Sequence, residues 1–222
     1  MRHAVSFVSA ALAAAAGSMA LTLIGSHVMS KEPRFPQLTT EQLTDAQKPL
    51  AEEIMKVSSV GLGGPYNPLL RSPVLGQRMF DLLHYLRWET SVPLKLNEFA
   101  ILIISRQWRS QVEWFAHAPI AAKAGLSPQI IAELKQKKRP SNMAEDEAVV
   151  YDFVTELTTT QKVSDATYAR AKKVFSDQQI VDLTAVAGNY VMVAMILAAT
   201  ETTVPRQGGA VQARRGITAA SH

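Results

Sequence analysis

One stretch of the chain, Leu94 to Gly125, constrains the fold more than any other. It contains six consecutive apolar residues, Phe99 to Ile104, too many for one face of an exposed helix. We therefore expect a buried helix from about Leu94 to Trp108. Ser110 is a good helix cap, and Gly125 is a good helix terminator, so a second helix should lie between them.

Other segments also carry apolar residues at the three- and four-residue spacing of helices, and none shows sustained alternation of strand type. We expect one all-α domain of about seven or eight helices over residues 30–204. Pro49 should divide the Thr40 to Val57 segment, giving either one kinked helix or two short ones. The remaining predicted helices are Pro68 to Glu89, Ser127 to Arg139, Ala144 to Thr158, Ser164 to Phe175 and Ser176 to Thr200.

Composition excludes several classes of function. The 222 residues include no cysteine, which excludes disulfides, thiolate zinc sites, iron–sulfur clusters and thiol peroxidase chemistry. The net charge of +4 is not arranged as a basic stripe with interleaved aromatics, so we expect no nucleic-acid partner. One histidine and two glutamates in the central stretch are a weak metal set, and we expect neither metal nor cofactor.

The two ends differ in composition from the rest. Arg2 precedes the uncharged, alanine-rich run Ala4 to Ile24, and Ser18 to Ala20 fits a small-x-small cleavage pattern. We interpret residues 1–29 as a signal peptide, or else as an uncleaved anchor that would bring the protein to a membrane. The protein is thus expected to be exported, periplasmic or secreted, with a flexible tail at 205–222.

A candidate proton-transfer site lies in the central stretch. Glu113 and His117 are four residues apart, so they share one helix face. A carboxylate beside an imidazole can move protons at neutral pH, with Glu98 as a second carboxyl. The alternatives are a solvated surface ion pair and, for Glu98, simple stabilisation by the helix dipole. Burial of the Glu113/His117 face in a pocket would favour catalysis, and an open or filled face would favour binding or scaffolding.

Further polar and aromatic residues are candidates for binding a substrate. Two arginines, Arg106 or Arg109, could hold a carboxylate, and a third arginine and a histidine could contact an anion if their helix face borders the site. A serine could form a hydrogen bond to the substrate, and a tryptophan could form an apolar wall. Each also has a structural interpretation: surface pairing, helix capping or core packing. The candidates are Ser110, Trp114, Arg109, Arg106, Arg71 and His84.

The order Glu98, Ser110, Glu113, His117 within EFAILIISRQWRSQVEWFAHAPIAAKAGLS resembles the carboxymuconolactone decarboxylase family, which includes the alkylhydroperoxidase-D-like proteins. The peroxidase branch has a glutamate, a CxxC pair and a histidine four residues after the second cysteine. Ser110 and Glu113 stand where those cysteines would be. The resemblance therefore implies the all-α fold but not thiol peroxidase activity.

The decarboxylase branch acts without a cofactor on a carboxylated lactone from aromatic-ring degradation, and its members form trimers to hexamers. The resemblance implies a small-molecule substrate and a homo-oligomer. In the corresponding mechanism His117 would be the general acid/base, Glu113 would orient it, and Glu98 would carry a second proton. The alternatives are another cofactor-free lactone isomerase or hydrolase, and an exported, non-catalytic oligomer that binds a small ligand.

Overall fold

The computed structural model describes residues 33–204, and within this range every regular element is a helix. A 3₁₀ turn at Thr40–Gln42 precedes the first α-helix, and a π-helical turn at Tyr85–Glu89 follows the third. The nine α-helices are α1 (Lys48–Val57), α2 (Tyr66–Leu70), α3 (Pro73–His84), α4 (Leu94–Gln107), α5 (Gln111–Lys123), α6 (Pro128–Lys135), α7 (Glu145–Thr160), α8 (Asp165–Val174) and α9 (Asp177–Ala199).

Helix α4 is the centre of the domain. Every residue from Leu96 to Ser105 is buried, and the helix packs against α5, α7 and α9. Such a helix must be apolar on nearly all sides, which is why the run Phe99 to Ile104 predicts it. The prediction of a buried helix ending near Trp108 is confirmed.

Serine caps fix where four of the helices begin. Ser110, Ser127, Ser164 and Ser176 each accept a hydrogen bond from a backbone N–H in the first turn of the following helix. These bonds satisfy N–H groups that have no partner within the helix. Ser176 also forms the expected capping box with Gln179.

The region before α4 differs from the prediction. Pro68 to Glu89 is not one helix, because the chain turns at Arg71 and Ser72 and Pro73 begins α3. Likewise Pro49 lies in the first turn of α1 instead of kinking a longer helix. Proline is well suited to the first turn, where a backbone donor is not needed. These breaks bring the number of α-helices in residues 33–204 to nine instead of seven or eight.

Helix α5 continues through Pro119 to Lys123, about three turns beyond Glu113. Pro119 is exposed, so water can reach the backbone carbonyl that the proline leaves without its helical donor. Just beyond the end of the helix, Gly125 has a φ of +95°, a conformation that side chains disfavour.

Helix α9 is long and apolar enough to cross a membrane on length and composition alone, and it is the one such helix in residues 33–204. More than half of its most apolar window is buried against the rest of the domain, chiefly α4 and α7. The predicted signal or anchor at 1–29 and the predicted tail at 205–222 lie outside the described residues.

Candidate functional site

A short contact between a buried carboxyl of α4 and a buried imidazole of α5 joins the two helices. Nδ1 of His117 lies 2.7 Å from Oε2 of Glu98, and the two residues are 6% and 3% exposed. A carboxylate can only accept a hydrogen bond, so with Glu98 ionised the Nδ1 atom carries the proton. Nε2 of the neutral imidazole is then a free base, and none of the hydrogen bonds in the described part of the chain involves it.

Tyr190 of α9 holds the other side of the imidazole. Its ring packs edge-on against the His117 ring, with centroids 5.1 Å apart and an interplanar angle of 89°. Burial raises the pKa of the Tyr190 phenol, so the hydroxyl stays neutral. Together, Glu98 and Tyr190 restrict both the position and the orientation of His117.

Glu113 is a buried acid on α5. It is 3% exposed, and neither carboxyl oxygen has a hydrogen-bond partner among the described residues. Burial raises the pKa of Glu113 to about 7, although the nearby Ser110 side chain partly opposes the shift. Burial therefore moves the pKa of this carboxyl from the acidic range into the neutral range.

Glu113 and His117 line the same cavity, which has a volume of about 50 Å³. The walls of the cavity are largely apolar, and such walls favour the neutral form of an acid. The other lining residues are Pro65, Tyr66, Leu83, Arg87, Val112, Ala116, Tyr190, Val193 and Leu197.

The structure thus brings together Glu98, Glu113 and His117, and all three are buried. The predicted division of labour is wrong in one respect: Glu98, not Glu113, bonds His117. Residues four apart on a helix point in parallel into the same space, whereas a residue on the neighbouring helix can point directly at the imidazole. The raised pKa of Glu113 has its cause in the burial of that carboxyl.

The predicted substrate-binding residues on α4 and α5 have mainly structural contacts. Ser110 caps α5. The Arg106 guanidinium lies over the Trp114 ring at 5.6 Å, and Arg109 is exposed with a φ of +55°. None of these four residues lines the cavity.

Arg71 and His84 lie elsewhere. The Arg71 guanidinium donates to the Pro36 carbonyl and covers the Phe35 ring. His84 pairs with Glu89 at 3.0 Å and lines a different, open groove. Neither residue belongs to the cavity of Glu113 and His117.

Sequence reasoning missed Arg87 and Tyr66, and it did not place Tyr190 against His117. Arg87 looks like an exposed residue of a long helix until the π-helical turn is seen. No group of three or more His, Cys, Asp or Glu residues within 33–204 is arranged to hold a metal ion.

Comparison with known proteins identifies the fold. No protein-family model matches the chain, and no curated protein matches it. Among solved structures, an uncharacterized peroxidase-related protein from Ralstonia eutropha JMP134, with an alkylhydroperoxidase AhpD core, superposes with a TM-score of 0.66 at 13% identity. The match covers 79% of this chain and 93% of that one.

Two further structures have the same fold. A peroxidase-related protein from Silicibacter sp. TM1040 matches with a TM-score of 0.61 at 17% identity, over 78% of this chain and 91% of that one. A protein of unknown function from Agrobacterium tumefaciens, provisionally assigned to the antioxidant defence protein AhpD, gives 0.53 at 20% identity, over 60% and 92%. The chain therefore has the AhpD-like all-α fold.

Proposed function

We propose that this protein is a cofactor-free, carboxymuconolactone decarboxylase-like lyase that acts on a small carboxylated lactone by proton transfer. The observation that carries the proposal is the unpartnered, buried Glu113, whose pKa burial raises to about 7, beside the His117–Glu98 pair. An acid with a pKa near the working pH is suited to both giving and taking a proton.

The reaction needs a carboxylate to leave as carbon dioxide and a proton to replace it. Apolar walls remove water from the departing carboxylate, which raises its energy relative to neutral carbon dioxide. In an α,β-unsaturated lactone, the electron pair left on the γ-carbon can delocalise through the ring double bond to the lactone carbonyl. Protonated Glu113 then donates its proton to carbon, so the products are carbon dioxide, a lactone with a new C–H bond, and Glu113 as a carboxylate.

His117 completes the cycle in this proposal. After the transfer Glu113 is a carboxylate, and the imidazole can return a proton to it from solvent. Glu98 accepts the Nδ1 hydrogen bond and stabilises the imidazolium that forms when Nε2 takes up a proton. The printed sequence has no thiol, so we do not propose peroxidase chemistry for it.

The test is release of carbon dioxide from a panel of γ-carboxylactones labelled with ¹³C in the carboxylate, followed by mass spectrometry. We expect Glu113→Gln and His117→Ala each to reduce the rate by about 10²–10⁴-fold while keeping the helical circular dichroism. Exposed Glu52→Gln on α1 is the matched control and should retain wild-type turnover. Full activity in either cavity variant would reject the proton-transfer assignment.

We also propose that the protein forms a homo-oligomer through the exposed face of α9. Val181, Met192 and Met195 are 66%, 37% and 50% exposed on this helix, and its residues 183–199 include no charge. Gly188 on the same helix has open space around it, so a second helix could approach closely. An uncharged apolar face of this length is typical of a contact between copies of a chain.

The interface can be tested by sedimentation. We expect Met195→Glu to lower the mass of the assembly, because it would bury a charge between subunits. Leu75→Glu, at a 53% exposed apolar position on α3, is the control. A monomeric wild-type protein, or an assembly unaffected by Met195→Glu, would contradict the proposed interface.

We also propose that the protein is exported, as the sequence of residues 1–29 indicates. This is tested by determining the N-terminus of the protein recovered from the cell envelope or medium.

A further inference from the structure

Arg87 enters the cavity from an unusual segment of the chain. It lies in the π-helical turn Tyr85–Glu89, between buried Leu86 and exposed Trp88. π-helical turns are rare and occur often at functional sites. Here the turn makes Arg87 a cavity-lining residue together with Glu113 and His117.

Two buried side chains hold this turn in place through hydrogen bonds. From one side, Nδ2 of Asn97 donates to the Leu86 carbonyl at 2.6 Å. From the other, the Asp182 carboxylate accepts hydrogen bonds from the Tyr85 hydroxyl at 3.2 Å and from the Ser91 hydroxyl at 2.7 Å. The backbone that carries Arg87 is therefore fixed by contacts with both α4 and α9.

The Arg87 guanidinium is held in position without a carboxylate partner among residues 33–204. It lies over the Trp88 ring, 4.6 Å from its centroid, and its charge acts on Tyr190, the residue that packs on His117. Arg139 and Arg170 each pair with a carboxylate. No Asp or Glu in residues 33–204 makes an ion pair with Arg87, so its planar array of donors is available.

We propose that Arg87 binds a carboxylate of the substrate, and that this carboxylate is one that the product retains. The inference rests on the proposed function. Pairing with a guanidinium stabilises a carboxylate, so the departing carboxylate should lie away from Arg87, among the apolar walls near Glu113. Arg87 thus selects substrates with a retained carboxylate. The sequence analysis considered Arg106 or Arg109 as the residue that could hold a substrate carboxylate.

Binding of a non-reacting probe tests the inference. We suggest (5-oxotetrahydrofuran-2-yl)acetate, a lactone with one side-chain carboxylate, and its neutral methyl ester, both titrated calorimetrically into the full chain. Wild-type protein should bind the carboxylate more tightly than the ester. Arg87→Met should weaken carboxylate binding about tenfold to a hundredfold and leave ester binding within about twofold.

Matched variants separate binding from structure. Arg87→Lys should restore part of the carboxylate affinity, since it keeps the charge but not the two-pronged geometry. Arg78→Met, at an exposed position on α3, should behave as wild type. Any of three results would overturn the inference. Arg87→Met could lose carboxylate and ester binding equally, or the wild type could show no preference for the carboxylate. The selective loss could also occur in Arg106→Met or Arg109→Met instead.

This binding assay can fail independently of the decarboxylation assay. If carboxylate binding depends on Arg87 but no lactone releases carbon dioxide, Arg87 is a carboxylate-binding residue and the proposed lyase activity is wrong. If carbon dioxide is released with the same KM in wild type and Arg87→Met, the activity stands and the role of Arg87 is wrong.

Discussion

Replacing Glu113 by glutamine should remove a specific part of the pH dependence of stability. In the folded protein the pKa of Glu113 is about 7, compared with an ordinary value of 4.5, because the carboxyl is buried. Between these two values the folded chain keeps a proton that the unfolded chain has released. Stability therefore falls as the pH rises through this window, and above about pH 7 the loss is complete.

The magnitude follows from the two pKa values. Their difference corresponds to about 3 kcal/mol of unfolding free energy between pH 4 and pH 8. Glutamine has nearly the same shape and does not ionise. The free energy of unfolding of Glu113→Gln, measured relative to wild type, should thus increase by about 3 kcal/mol from pH 4 to pH 8. This change does not depend on the stability of the variant at pH 4.

The assay is urea unfolding followed by circular dichroism at pH 4, 5, 6, 7 and 8. Glu52→Gln, at an exposed position, should track the wild-type protein at every pH. Because His117 is present in all three proteins, taking differences between variants isolates Glu113. A difference between wild type and Glu113→Gln that is constant from pH 4 to pH 8 would refute the argument that burial holds the proton on this side chain.

Three further predictions, the last with a control substitution, have distinct expected outcomes. Glu98→Gln should lower turnover about 10²-fold or more, since an amide cannot stabilise the His117 imidazolium; unchanged kcat would contradict the assigned role. Asp182→Asn should lower the unfolding free energy in urea by about 1–3 kcal/mol, because it weakens the bonds that pin the π-helical turn; an unaltered midpoint would be inconsistent with pinning. Gly76→Ala should lower the unfolding free energy by about 1–3 kcal/mol, since its Cβ would lie 2.6 Å from the Leu69 carbonyl oxygen. Gly188→Ala is the control: its Cβ would have no atom within 4 Å, so it should not destabilise the subunit in the same experiment.

The sequence predicts the centre of this fold well, because there the local signals agree. The apolar run Phe99 to Ile104 requires a buried helix, and Ser110 and Gly125 bound the next one. The break at Arg71 and Ser72 was missed because leucines at helical spacing continue beyond it. Pro73 was the available signal, since proline is favoured in a first helical turn.

The site was predictable in membership but not in arrangement. Spacing on α5 correctly puts Glu113 and His117 on one face, and both prove to be buried. Spacing within a helix carries no information about which residue of a neighbouring helix meets it. The sequence therefore predicts Glu113 as the partner of His117, whereas the partner is Glu98. Tyr190 and Arg87 reach the cavity through contacts distant in the chain and through a π-helical turn, neither of which has a local signature.

The division of the cavity between two parts of the domain has a consequence for divergence. The cavity residues Glu113 and His117 come from α5, while Arg87 and Tyr66 come from the segments before Thr90. Residues on those earlier segments can change without disturbing the Glu98–His117 bond. Proteins with this framework can therefore change the ligand that the outer wall admits while keeping the buried carboxyl–imidazole pair.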